Sequence, residues 1–108
     1  MGKPFFVWQD KMLKKINPDN VVYLVAERNY TRIFLNDKSS YMVRSTLANT
    51  LKKLPPDVFI KIHRAVAASV YYIDSIQRDH LLVGDELIPI PVGRLYYKSL
   101  MGKLVIIE

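Results

Sequence analysis

Val21-Val22-Tyr23-Leu24-Val25-Ala26-Glu27-Arg28-Asn29-Tyr30-Thr31-Arg32-Ile33-Phe34-Leu35 is the stretch that decides the fold class. Two runs of β-branched, aromatic and aliphatic residues, Val21–Val25 and Tyr30–Leu35, flank a polar Glu27-Arg28-Asn29 segment, which predicts two strands joined by an exposed loop. Pro18-Asp19-Asn20 supplies a turn ahead of the first strand and Asn36-Asp37-Lys38-Ser39-Ser40 a turn after the second. Tyr41-Met42-Val43-Arg44 then reads as the next hairpin partner.

Beyond this block one helix is clear. Ser45 or Thr46 caps it, and Leu47, Leu51 and Leu54 fall at i, i+4 and i+7 on one apolar stripe. Pro55-Pro56 ends it after about three turns, because a proline disfavours helical geometry in the residue before it. Val58 to Val66 returns to strand character, with Ile60 and Ile62 alternating against Lys61 and His63. Tyr71–Ile76 and Leu81–Val83 read as further strands. Two prolines in Leu87-Ile88-Pro89-Ile90-Pro91-Val92 predict an edge position. Arg94–Met101 reads as a second short helix with Gly102 as its stop, and Leu104–Ile107 as a last strand. No βαβ rhythm is present. The expected fold is mainly β and antiparallel, with one or two short helices, over a single domain spanning 1–108.

Composition narrows the function. At 108 residues, half of them hydrophobic and 24% charged, the chain is ordinary for a globular domain. No apolar run approaches the ~20 residues of a membrane span, so no membrane partner is expected. Met1-Gly2-Lys3-Pro4-Phe5-Phe6-Val7-Trp8 lacks the form of a secretory signal, and a cytoplasmic location is expected. There is no cysteine, and the two histidines, His63 and His80, have no metal-ligand spacing. Four glycines form no phosphate-cradling loop, and no Gly-x-Ser-x-Gly turn appears. Catalysis, a metal and a cofactor are therefore not expected. The formal charge of +6 points to an anionic partner.

Phe59-Ile60-Lys61-Ile62-His63-Arg64-Ala65 resembles the core signature of the LytTR family of bacterial DNA-binding domains, F-x-x-[IV]-H-R-[ST]. Asp19–Tyr30 is similar to that family's opening strand and turn, and Tyr41–Leu47 to its entry into a short helix that ends at Leu54-Pro55. Tyr72–Ile76 and Ile90-Pro91-Val92-Gly93-Arg94 match later strand and turn patterns. The resemblance spans about residues 5–102. The chain departs from the pattern at Ser69, where an asparagine is usual, and at Gly93, where a serine is usual.

The resemblance implies an elongated antiparallel β fold that reads double-stranded DNA with loops set into successive major grooves, usually on direct repeats, in transcriptional regulators often joined to a receiver domain. It implies base contacts from Arg94, Arg64, Thr31 and Asn29. Phosphate contacts fall to Arg32, Arg28, Lys98, Arg78, Gly93 and Ser69. Arg94 and Lys98 lie at i, i+4 on one helix face, and an arginine fork fits guanine where a lysine sets only position. His63 is expected to pack or to orient its loop, and Tyr23, Tyr71, Tyr72, Tyr96 and Tyr97 to pack in the core or across strands. Lys14-Lys15 and Lys52-Lys53 read as solvated charge. A receiver domain or sensor is the expected partner besides DNA, and a monomer in solution that pairs on DNA the expected state. Two other classes fit the basic charge: a single-stranded nucleic-acid module and a protein-interaction module. The first needs stacking aromatics interleaved with basic residues on one sheet face, whereas the aromatics here occupy apolar runs.

Overall fold

The computed structural model describes residues 2–108; Met1, which opens the stretch read for a secretory signal, lies outside them. A hairpin of β1 (Phe5–Gln9) and β2 (Met12–Ile16) comes first. A 3-10 turn at Pro18–Asn20 leads into β3 (Val21–Glu27), β4 (Tyr30–Leu35) and β5 (Ser40–Val43). Helix α1 (Leu47–Lys52) follows, then β6 (Phe59–His63) and β7 (Val66–Ser69). The chain finishes with β8 (Ile73–Ile76), β9 (His80–Val83), β10 (Ile88–Pro91) and helix α2 (Arg94–Gly102).

Every paired strand is antiparallel. A five-stranded sheet in the order β5-β4-β3-β7-β6 carries a core on each face, and β10-β9-β8 forms a second sheet. One core joins the sheet to the β1–β2 hairpin and α1 through Val7, Ile16, Leu24, Ile33, Leu47 and Phe59. The other joins it to the three-stranded sheet and α2 through Val22, Ile60, Ile62, Leu81, Val83 and Leu100. A strand covered on both faces reads as a continuous apolar run, which is why Val21–Val25 shows no alternation. A register shift between Val21 and Tyr23 turns both Val22 and Tyr23 to the second core. The long axis is 48 Å.

The sequence-based expectations hold for the antiparallel β class, for both helices and for β10 at a sheet edge. Five details differ. The β1–β2 hairpin was not anticipated, because its turn is made by Asp10 (φ 49°) and Lys11 (φ 65°) without the glycine that flags such turns. Helix α1 has six residues, because Leu54 before Pro55 leaves the helix while still burying its side chain. The run Val58–Val66 is two strands: the His63 Nδ1 accepts from the amide of Ala65 at 3.2 Å and turns the chain with no glycine or proline. Leu104–Ile107 joins no sheet, leaving Val105 and Ile107 exposed. Tyr71 sits in a 3-10 turn (Val70–Tyr72) and is exposed, not packed.

Candidate nucleic-acid interface

Four segments meet through main-chain hydrogen bonds. The Gly93 amide donates to the Ile62 carbonyl at 2.8 Å, fixing the start of α2 on β6. The Val92 amide donates to Asp79 at 2.9 Å, which holds the β8–β9 turn beside the same junction. The Ala26 amide donates to Ala65 at 2.8 Å and brings the β6–β7 turn against the end of β3. The β3–β4 turn projects just beyond, with Arg28 at φ 60°, the left-handed geometry of a two-residue hairpin loop. Arg28, Asn29, Arg64, Arg78 and Arg94 are all exposed on these segments, and Lys98 one turn along α2 is exposed as well.

The electrostatics favour an anion here. Among the described residues Arg28, Arg64, Arg94 and Lys98 take part in no ion pair, so their field is not neutralised locally. Arg78 lies over the Tyr97 ring, 5.3 Å from its centroid, which orients the guanidinium without consuming its charge. Lys61 stands over Tyr96 at 5.8 Å. A hydrogen bond from His80 holds the exposed Asp79 carboxyl below its ordinary range. Among the described residues no cluster of three or more His, Cys, Asp or Glu is placed to hold a metal, and no helix is long and apolar enough to cross a membrane.

A profile of the LytTr DNA-binding domain matches residues 11–105. The chain belongs to the LytTr DNA-binding domain family. It is 32% identical over 89 residues to the sensory transduction protein LytT of Bacillus subtilis strain 168, covering 79% of this chain and 36% of that protein. It is 29% identical over 82 residues to a response regulatory protein of Vibrio cholerae serotype O1, covering 70% of this chain and 31% of that protein. The chain thus spans about a third of the length of these curated relatives. Its fold is similar to the LytTr DNA-binding domain of a Bacillus cereus response regulator, with a TM-score of 0.76 at 21% identity over 94% of this chain and 97% of that one.

Three expected contacts of this LytTr domain need correction, and a fourth, Arg32, stays available. Thr31 is fully buried, and its Oγ1 donates to the Ser45 carbonyl at 2.8 Å, so it ties β4 to the chain after β5 and faces no base. Ser69 is fully buried at the end of β7 away from the β6–β7 turn, where its Oγ accepts from the Tyr71 amide. The Gly93 amide is already given to Ile62 and is not free for a phosphate. Arg32 donates from Nε to Glu27 at 2.7 Å and from Nη1 to Ser40, which leaves further guanidinium N–H groups for a phosphate.

Two exposed residues of the LytTr domain escaped the sequence reading. Arg44 follows directly on Val43, which pairs with Thr31 and so sits beside the β3–β4 turn. Its signal is a cation between a strand end and a helix cap. Leu95 is 88% exposed next to Arg94; it stands outside the Tyr96–Leu100 and Tyr97–Met101 pairs of α2, which is the sign that it does not pack.

Proposed function

We propose that this LytTr domain binds double-stranded DNA sequence-specifically to regulate transcription, with Arg94, Arg64 and Asn29 reading bases and Arg28, Lys98 and Arg78 contacting phosphates. The supporting observation is the pair of main-chain bonds, Gly93 to Ile62 and Ala26 to Ala65, that assembles three arginine-bearing segments into one basic end. Arginine forks carried on short, hydrogen-bonded loops are held in place for base edges in the major groove. The loops enter successive major grooves of direct-repeat sites. The domain acts as a monomer in solution that pairs on DNA. Its regulatory input comes from a receiver domain or sensor, as the names of its longer relatives suggest, and it works in the cytoplasm.

The test is binding to duplex DNA by fluorescence anisotropy, with single-stranded competitor, for the wild type and the Arg64→Ala/Arg94→Ala pair. Duplex affinity resistant to the competitor and lost in the pair is the expected result. Loss to the competitor favours a single-strand module instead, and affinity unchanged in the pair refutes the assignment of contacts.

A further inference from the structure

β1 and β5 are both edge strands: β1 pairs only with β2, and β5 closes one side of the five-stranded sheet. They meet where the Gln9 Nε2 donates to the Met42 carbonyl at 2.9 Å. Main-chain groups of one residue in an antiparallel strand point to the same side, so the Met42 amide faces outward with its carbonyl. The side-chain amide of Gln9 takes a place that a neighbouring strand's N–H would fill. Between the two strands lies a groove of about 490 Å³ whose walls include Phe6, Trp8, Tyr30 and Met42. Phe6 and Trp8 are 58% and 68% exposed. Arg44 and Lys53 line the same groove, and no Asp or Glu does. On the outer face of the hairpin Trp8 stands opposite Leu13 and Phe6 opposite Lys15, extending the apolar and basic surface.

We propose that this groove docks an extended polypeptide segment of a partner protein, acidic and apolar by turns, that adds as a strand along the β5 edge. Each feature selects that chemistry. The β5 edge offers a ladder of donors and acceptors that another peptide backbone completes, once it takes the Met42 carbonyl from the Gln9 side chain. The aromatic walls take the apolar side chains of one strand face. Arg44 and Lys53 pair with carboxylates at the rim. A duplex offers no such ladder, and its bases, stacked on one another, leave no ring face for the aromatic walls. The inference does not rest on the DNA-reading assignment.

Trp8 is the single tryptophan of the chain and reports directly on the groove. The probe is a capped ten-residue peptide alternating Glu with Val and Leu, titrated while Trp8 emission is followed. A counterpart with Lys for Glu and a short duplex are the comparison arms. Saturable burial of Trp8 by the Glu peptide, weaker by at least tenfold with the Lys peptide, is the expected result. Met42→Pro removes the outward amide without touching the β4 pairing and should weaken binding at least tenfold at an unchanged melting temperature. Should that variant fail to fold, Phe6→Ser, at an exposed wall position, carries the same criterion. No saturable change, equal binding of the Lys peptide, or unaltered binding by the folded variant overturns the proposal. So does burial of Trp8 by the duplex, which gives the groove to nucleic acid, or by self-association in sedimentation, which gives it to a second copy.

Discussion

The amide of Gly93 donates to the carbonyl of Ile62 at 2.8 Å, and this bond fastens the first turn of α2 to the strand that ends in His63 and Arg64. Two basic residues far apart in sequence, Arg64 and Arg94, owe their closeness to it. Gly93 is also the N-cap of α2 and makes no side-chain cap. A Cβ placed there meets Tyr96 Cδ2 at 2.9 Å, so the serine usual in the LytTr pattern does not fit against this tyrosine.

Gly93→Ser therefore destabilises the protein. The hydroxyl cap is worth only a few tenths of a kcal/mol over glycine, roughly, and displacing a packed ring costs more. In a Tyr96→Ala background the same substitution should be neutral or stabilising. Thermal melts of the four proteins of this cycle measure the coupling; equal effects in both backgrounds would show that Tyr96 is not the obstacle.

Arg94 and Lys98 share a face of α2 but differ in chemistry. Arg94→Ala should relax base preference at one position by about 1–3 kcal/mol, whereas Lys98→Ala should weaken all sequences about equally. Affinities measured over a panel of single-base site variants separate the two. A uniform loss for Arg94→Ala removes it from the base readers.

Thr31 is structural. Thr31→Val deletes the bond to the Ser45 carbonyl and should cost roughly 0.5–1.5 kcal/mol of stability. The base preference should stay as it is, because the side chain is wholly buried. An altered preference in a variant that folds normally would return Thr31 to the DNA contacts.

Burial raises the Tyr23 phenol above its ordinary value of 10.0, and the ring stacks on Phe34 at 4.5 Å. A raised acid group contributes stability that is full below the unfolded value and lost as pH rises through the folded one. Stability should thus fall on the alkaline side of 10.0, and Tyr23→Phe should flatten that fall. Urea midpoints followed from neutral to alkaline pH check this; parallel curves for both proteins would exclude Tyr23 as the source.

The strands were legible where periodicity and apolar runs carry the signal, as in β3, β4 and β10. The turns were less so. Asp10-Lys11 and Arg64-Ala65 reverse the chain without glycine or proline, one by left-handed backbone and one by the His63 ring, and neither leaves a compositional mark. At the candidate interface, charge and motif order pointed to Arg28, Asn29, Arg64, Arg78, Arg94 and Lys98, all of which are exposed. Thr31 and Ser69 were misplaced because a small hydroxyl residue looks the same in sequence whether it meets solvent or caps a buried amide or carbonyl. Arg44 falls within the Tyr41–Leu47 pattern, but its position beside Thr31 depends on the β4–β5 register.

Binding-site selection from a random duplex library at near-physiological salt tests the central claim most directly. The account predicts enrichment of two direct half-sites about one helical turn apart, with Arg94→Ala losing preference at a defined position in each. No enriched sequence, with only salt-sensitive binding to every duplex, would contradict it.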